Sequence, residues 1–182
     1  SYLSCYVVKE LGLRPLIVHV DAGWNSELAV NNIQNLVEKL NIDLHTLVID
    51  WEEMKDLQKS FFKSGIANLD VPQDHAFVAS LYKEASKFGI KDILNGGNMQ
   101  TESILPESWG YDANDSMSLT SIQKRFGTVK LKNYPIYNQW QALIYYPYIK
   151  KMKTHRPLEW MEYSKDKAKS FLIKEMGWRD YG

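Results

Sequence analysis

Three short clusters in this sequence carry residue types suited to holding a nucleotide. The first is Asp21-Ala22-Gly23-Trp24, directly after the apolar run Leu16-Ile17-Val18-His19-Val20. A small-residue turn there lets main-chain N–H and C=O groups reach the edge of a flat ring; the same turn is also what any strand needs before a helix, with Gly23 supplying a positive φ. The second is Asn95-Gly96-Gly97-Asn98, followed by Thr101, Glu102 and Ser103. Paired glycines after a buried strand allow a phosphate to touch the main chain, and the carboxylate of Glu102 is an oxygen ligand suited to magnesium. A tight turn beside a solvated carboxylate is the plainer account. The third is Gln73-Asp74-His75, where Asp74 reads as a helix N-cap and His75 as a first-turn residue.

Weaker features surround these. His19 inside a strand reads as a core or turn-bonded histidine before it reads as a base. Lys150 to Arg156 is a basic run that could meet a phosphate or be a solvated face. Six of the fifteen residues from Tyr134 to Tyr148 are aromatic, enough to stack a sugar or base or to form the inside of a helix kinked at Pro147. Cys5 reads as packing, since nothing near it in sequence would activate the thiol.

The elements that must position these clusters follow from spacing. Tyr2 to Leu11 has helical periodicity, with Leu3, Tyr6, Val7 and Leu11 on one face and Gly12 placed to end it. Leu16 to Val20 suits a parallel strand buried on both faces. A helix capped by Asn25 or Ser26 follows, with Ala29, Ile33, Leu36, Val37 and Leu40 inward. Leu44 to Ile49 is a second strand. Met54, Leu57 and Phe61 mark a helix ending before Gly65, and Phe77, Leu81, Ala85 and Phe88 mark another ending at Gly89. Asp92 to Asn95 is a third strand. A short helix is expected around Leu119 to Phe126, a strand starting at Arg156-Pro157-Leu158, and a last helix with Ala168, Phe171, Leu172 and Met176 inward.

The alternation of helices and strands predicts an α/β fold, an open, mostly parallel, doubly wound sheet in three layers. In such sheets ligands lie beyond the carboxyl ends of the strands, which is where the first two clusters fall. Residues 1–98 read as the nucleotide-binding core, 99–155 as an insertion, and 156–182 as a closing strand and helix.

Composition limits the partners. With 22 basic and 22 acidic side chains the chain has no net field to draw it onto nucleic acid or an anionic membrane, so an anion must be held locally. One cysteine excludes an internal disulfide and a multi-cysteine zinc site. No apolar run approaches the roughly 18 residues of a membrane span, and the expectation is a soluble, cytoplasmic protein.

In combination the strings LIVHVDAGW (Leu16–Trp24), VPQDHAF (Val71–Phe77) and ILNGGNMQTESIL (Ile93–Leu105) resemble the N-acetyl sugar amidotransferase family, a branch of the PP-loop ATP pyrophosphatases. YYPYI (Tyr145–Ile149) and Arg156-Pro157-Leu158 extend the likeness over almost the whole chain. The resemblance implies that ATP adenylylates the amide oxygen of a sugar N-acetyl group, in bacterial surface-glycan synthesis, with magnesium as cofactor and a nucleotide sugar as substrate. Ammonia from a separate glutaminase subunit then displaces AMP to leave an acetamidino group. It places Val20, Asp21 and Gly23 beside the adenosine and Asn95, Gly96, Gly97 and Asn98 around the phosphates. Asp74, His75 and Glu102 become the catalytic candidates, Glu102 also as a metal ligand.

The family's phosphate loop, an SGGxDS-type turn, should precede the first helix, and only Ser1 could be its last residue. The strand before that loop would lie mid-sheet, so its neighbours are expected to have unpaired edges. The chain alone is therefore expected not to turn over ATP, whereas a longer parent is. Gly23, Gly97 and Ser1 are expected to approach one crevice. Two other readings stand beside this one: a non-catalytic nucleotide-binding or assembly module, and a tRNA-modifying PP-loop enzyme.

Overall fold

The computed structural model describes residues 1–98, 112 and 114–180. Helix α1 is Tyr2–Lys9, and it stops two residues short of the expected Leu11. Gly12 adopts φ +63° just beyond, and Leu13 N–H reaches back to Val7 C=O at 3.1 Å, which satisfies a terminal carbonyl. Strand β1 is Leu16–Asp21. Helix α2, Glu27–Leu40, starts at Ser26, whose hydroxyl accepts Ala29 N–H at 3.2 Å. Strand β2 is Asp43–Val48, and it pairs parallel with β1 from Leu16↔Asp43 to Asp21↔Val48.

Helix α3, Trp51–Ser64, is capped by Asp50, which accepts the N–H groups of Glu52 and Glu53. It ends at Gly65 in the left-handed region. Helix α4, Val71–Lys87, begins after Asp70 with Pro72 in its first turn. The expected cap, Asp74, instead lies one turn inside the helix, donating its N–H to Asp70 C=O at 2.9 Å. Strand β3 is the short Asp92–Leu94.

Helix α5, Ser116–Phe126, matches the expected short helix, with Asp115 as its cap. Gln141–Ile149 is a π-helix rather than a kinked α-helix, and it contains Pro147. The strand expected to begin at Arg156 lies just before it: β4 is Lys153–His155, and Pro157–Trp160 is a 3-10 turn. Helix α6, Lys165–Met176, closes the described chain.

The strands are parallel as the pattern requires, but among the described residues they do not join into one open sheet. Among the described residues β1 pairs with β2 and β3 with β4, in two separate two-stranded sheets. Helices pack on both faces of β1. Ile17 contacts the cluster of Cys5, Leu36, Leu40, Leu172 and Met176 from α1, α2 and α6. Val20, three residues on and so on the opposite face, contacts Met54, Leu57, Phe61 and Ala76 from α3 and α4. A third cluster joins Ala79, Ala85 and Ile93 to Tyr137 and Tyr146. Every residue of β1 is nevertheless only half-buried, short of the burial on both faces that its apolar run predicts.

Candidate functional site at the strand ends

Two of the predicted clusters fold into the same local device. After β1, the Asp21 carboxylate accepts Gly23 N–H at 2.9 Å; after β3, the Asn95 side-chain oxygen accepts Gly97 N–H at 2.8 Å. Each is an Asx turn, in which a side chain imitates a backbone turn and swings the chain out of the strand. The Asp21 carbonyl still receives Ile49 N–H at 2.9 Å, and Asn95 N–H donates to His155 C=O at 2.9 Å, so both turns start from a paired strand end. The N–H groups of Gly23 and Gly97 are thereby engaged internally, and a phosphate binding at either turn would meet neighbouring donors or displace the side chain.

Around the first turn, Ala22 is buried and Val20 packs on the α3–α4 cluster. Gly23 takes φ +87° with the Trp51 ring lying over it. Trp24 meets Trp51 edge to face, centroids 4.9 Å apart, and both indoles are partly open to solvent. Trp51 is a site neighbour that the sequence reading missed; its signal was an aromatic residue directly after Asp50, the cap of α3.

Around the second turn, Gly96 lies beside Leu3 of α1, whose Cδ2 is 3.9 Å from where a Cβ on Gly96 would be. Ser1, just before α1, makes no side-chain capping bond. Asn98 is buried. The structure thus brings the start of α1 to the Asn95 turn, while the contact made by Gly23 is with α3. Glu102 lies outside the described residues. Among those described, no group of three His, Cys, Asp or Glu side chains is placed to hold a metal ion.

The third cluster sits elsewhere in character. His75 is fully buried, and its Nε2 accepts Tyr137 N–H at 3.0 Å. That bond requires a lone pair on Nε2, so the ring proton of the neutral imidazole is on Nδ1. The ring lies nearly parallel to that of Tyr134, with centroids 6.3 Å apart, and the Tyr134 hydroxyl donates to Pro72 C=O. Burial pushes the Tyr134 and Tyr137 phenols well above their ordinary range, so both stay protonated donors. Asp74 is raised too, by desolvation and then by the neighbouring Asp70 charge.

What delivers Tyr134 to this place is a row of acids on α3 that sequence reasoning missed. Asp50, Glu53 and Asp56 recur every third residue and share one face of the helix. Buried Glu53 accepts the N–H groups of Lys132, Asn133 and Tyr134 at 2.7 to 3.1 Å. Asp56 accepts the N–H groups of Thr128 and Val129, the Thr128 hydroxyl, and the Gln123 amide. Asp50 accepts the Asn133 amide at 3.3 Å. Residues 128–134 have no ladder of their own, and these carboxylates satisfy their main chain instead.

The weaker features resolve simply. His19 Nε2 meets the Asn25 amide at 3.1 Å. Cys5 is buried, and burial pushes its thiol up. In the basic run, Lys150 lies over the Tyr145 ring and His155 bonds Asp92 at 2.9 Å. No described helix is long and apolar enough to cross a membrane.

Comparison with protein-family models finds no match, and comparison with curated proteins finds none either. Among solved structures the chain is similar to a predicted subunit of tRNA methyltransferase from Methanocaldococcus jannaschii. The likeness is 13% in sequence with a TM-score of 0.47, over 94% of this chain and 69% of that one. At that level it says nothing of reaction or substrate.

Proposed function

We propose that this chain supplies the nucleotide-binding part of an ATP-dependent amidotransferase that converts a sugar N-acetyl group into an acetamidino group. The observation that carries this reading is the pair of Asx turns, Asp21–Gly23 and Asn95–Gly97, each at the carboxyl end of a parallel strand. These are the positions at which α/β folds bind ligands, and both lie within the strings that resemble the amidotransferase family.

An amide is a poor electrophile because nitrogen donates into its carbonyl. In the proposed reaction the amide oxygen attacks the α-phosphorus of ATP, an O–P bond forms, and the bond to pyrophosphate breaks. Ammonia, supplied by a glutaminase partner, then adds to the activated carbon. The C–O bond breaks, AMP leaves with its electron pair, and a proton is lost to give the acetamidino group. The Asp21 turn would hold the adenosine edge and the Asn95–Asn98 turn the phosphates, through main-chain donors fixed before the reaction. Asp74 and His75 would act through Tyr134 and Tyr137, positioning that segment rather than touching ATP. Magnesium finds no donor set among the described residues, and no step above is routed through it.

The deciding experiment follows AMP and pyrophosphate release by the polypeptide of the complete reading frame, given ATP, ammonia and UDP-linked N-acetyl sugars. Release that requires both sugar and ammonia is expected. ATP binding without AMP formation under any sugar would replace this reading with that of a non-catalytic nucleotide-binding module.

A further inference from the structure

The π-helix Gln141–Ile149 turns an apolar face to solvent. Trp140, at its start, and Leu143, Ile144, Tyr148 and Ile149 are each between 46% and 73% exposed. The wide winding gathers them. Bonds from i to i+5, such as Lys150 N–H to Tyr145 C=O at 2.8 Å, bring residues four and five apart into line. Trp140, Ile144, Tyr148 and Ile149 follow that spacing, and Leu143 stands five residues before Tyr148. The opposite face is anchored: Tyr146 is buried, and with half-buried Ala142 it packs on Ala79, Ile93 and Tyr137. Half-buried Tyr145 stacks on Trp140, centroids 5.3 Å apart, and so braces the exposed indole. Large apolar side chains are common singly on a surface, but five on one helix face mark an interaction site.

The balanced net charge conceals a segregation. From Ser116 to Leu158 the chain has eight Lys and Arg residues and no Asp or Glu. Three of the eight, Lys150, Lys151 and Lys153, directly follow the apolar face, and among the described residues no acid pairs with them. The Lys150 ammonium lies over the Tyr145 ring at 5.6 Å, at the margin of that face.

We propose that this face docks on an anionic lipid bilayer, with the π-helix lying in the plane of the interface and its aliphatic side chains toward the acyl chains. The order of the chemistry argues for that occupant. Leu143 and Ile144 stand between Trp140 and Tyr148, and the lysines follow. Apolar body, rings with one polar edge, then ammonium groups is the sequence that a leaflet offers in reverse from phosphate to acyl chain. A nucleic acid would match the lysines but give the aliphatic side chains no partner. A second copy docked through the same face would bring both lysine runs to one interface, where they repel. Nine residues of helix are far too few to cross a bilayer, so the contact is peripheral. This inference rests on the surface alone and stands apart from the amidotransferase reading.

The test is flotation of the protein with vesicles of phosphatidylcholine alone and of phosphatidylcholine with phosphatidylglycerol. Retention on the anionic vesicles is expected to be about tenfold tighter than on the neutral ones and to weaken as salt is raised. Lys151→Gln with Lys153→Gln should remove that advantage, and Leu143→Gln with Ile149→Gln should abolish retention on both. All four positions are exposed, so thermal unfolding should not move with either pair. Lipids brominated in the acyl chain should quench tryptophan emission, and Trp140→Phe should remove the quenching, which attachment through lysines alone would not produce. No retention on anionic vesicles would overturn the proposal, as would retention indifferent to the Leu143 and Ile149 changes or quenching that persists in Trp140→Phe. Self-association lost in Leu143→Gln, without vesicle retention, would put a second copy on this face instead.

Discussion

The Trp51 indole lies so close over Gly23 that a Cβ on that glycine would come within 2.5 Å of the ring's Cε3 atom. Together with φ +87°, this makes the position unsuited to any side chain. Gly23→Ala is expected to cost about 2 kcal/mol, from the strained backbone and the displaced ring. The change should shift tryptophan emission as Trp51 leaves Trp24. Urea unfolding with fluorescence detection checks both, and an alanine variant with native stability and emission would show that the turn is not held this way.

Asp56 is stabilised as an anion. Burial opposes its charge, but the bonds from Val129 N–H, the Thr128 hydroxyl and N–H, and Gln123 outweigh that and hold the carboxyl well below its usual range. The unfolded chain takes up this proton at a pKa near 3.9, so the stabilisation is complete above about pH 4 and is lost as pH falls from there through the folded value. Asp56→Asn is expected to cost about 2 kcal/mol at neutral pH. The gap to the natural protein should close progressively below pH 4 in unfolding titrations; a gap constant down to pH 2 would contradict the assignment.

Glu53 accepts three consecutive main-chain N–H groups in a buried setting. Glu53→Ala leaves them without a partner, and a loss of roughly 3 kcal/mol is expected. Glu53→Gln keeps an accepting oxygen and should recover part of it. Thermal unfolding gives the totals, while amide exchange at Lys132, Asn133 and Tyr134 localises the effect. Fast exchange confined to other residues would mean the segment is held elsewhere.

If the second Asx turn orients main-chain donors toward phosphate, Asn95→Ala should weaken ATP binding by the complete polypeptide about tenfold, near 1.4 kcal/mol, while leaving thermal stability almost unchanged. Calorimetric titration with ATP reads the first and a melting curve the second. Unaltered affinity would remove this turn from the binding site.

Much of this arrangement was legible in the sequence because it is local. The apolar run before Asp21 read correctly as a parallel strand, though not as one buried on both faces, and the stripe Met54, Leu57, Phe61 and the Asn-Gly-Gly-Asn turn read correctly as a helix face and a turn. The row Asp50, Glu53, Asp56 did not, because acids every third residue on a helix look like a solvated face. Their partners lie 67 to 83 residues away. His75 read as a first-turn residue for the same reason: Tyr134 and Tyr137, which pack on it, each lie 62 residues beyond the α4 residue they bond, Pro72 and His75 respectively. Placing the α4 cap at Asp74 overlooked Pro72, which belongs in a first turn and moves the start to Val71. The three-residue β4 has no periodicity to detect, and the edges left open on β1 and β3 leave no mark in either strand's own residues.

The separation of the two strand pairs also sets an order of assembly. The β1–β2 ladder joins Leu16 to Asp43 and the β3–β4 ladder joins Asp92 to Lys153, a loop more than twice as long, closed by only three residue pairs. Loop closure grows costlier by about 0.6 kcal/mol per doubling of length, and distant pairings form slowly. Refolding should therefore protect Leu44 to Val48 before Asp92 to Leu94, leaving an early species in which the amino-terminal pair is formed while the Asn95 turn has no paired strand to start from. Pulse-labelled amide exchange would expose simultaneous protection if the two halves instead form together.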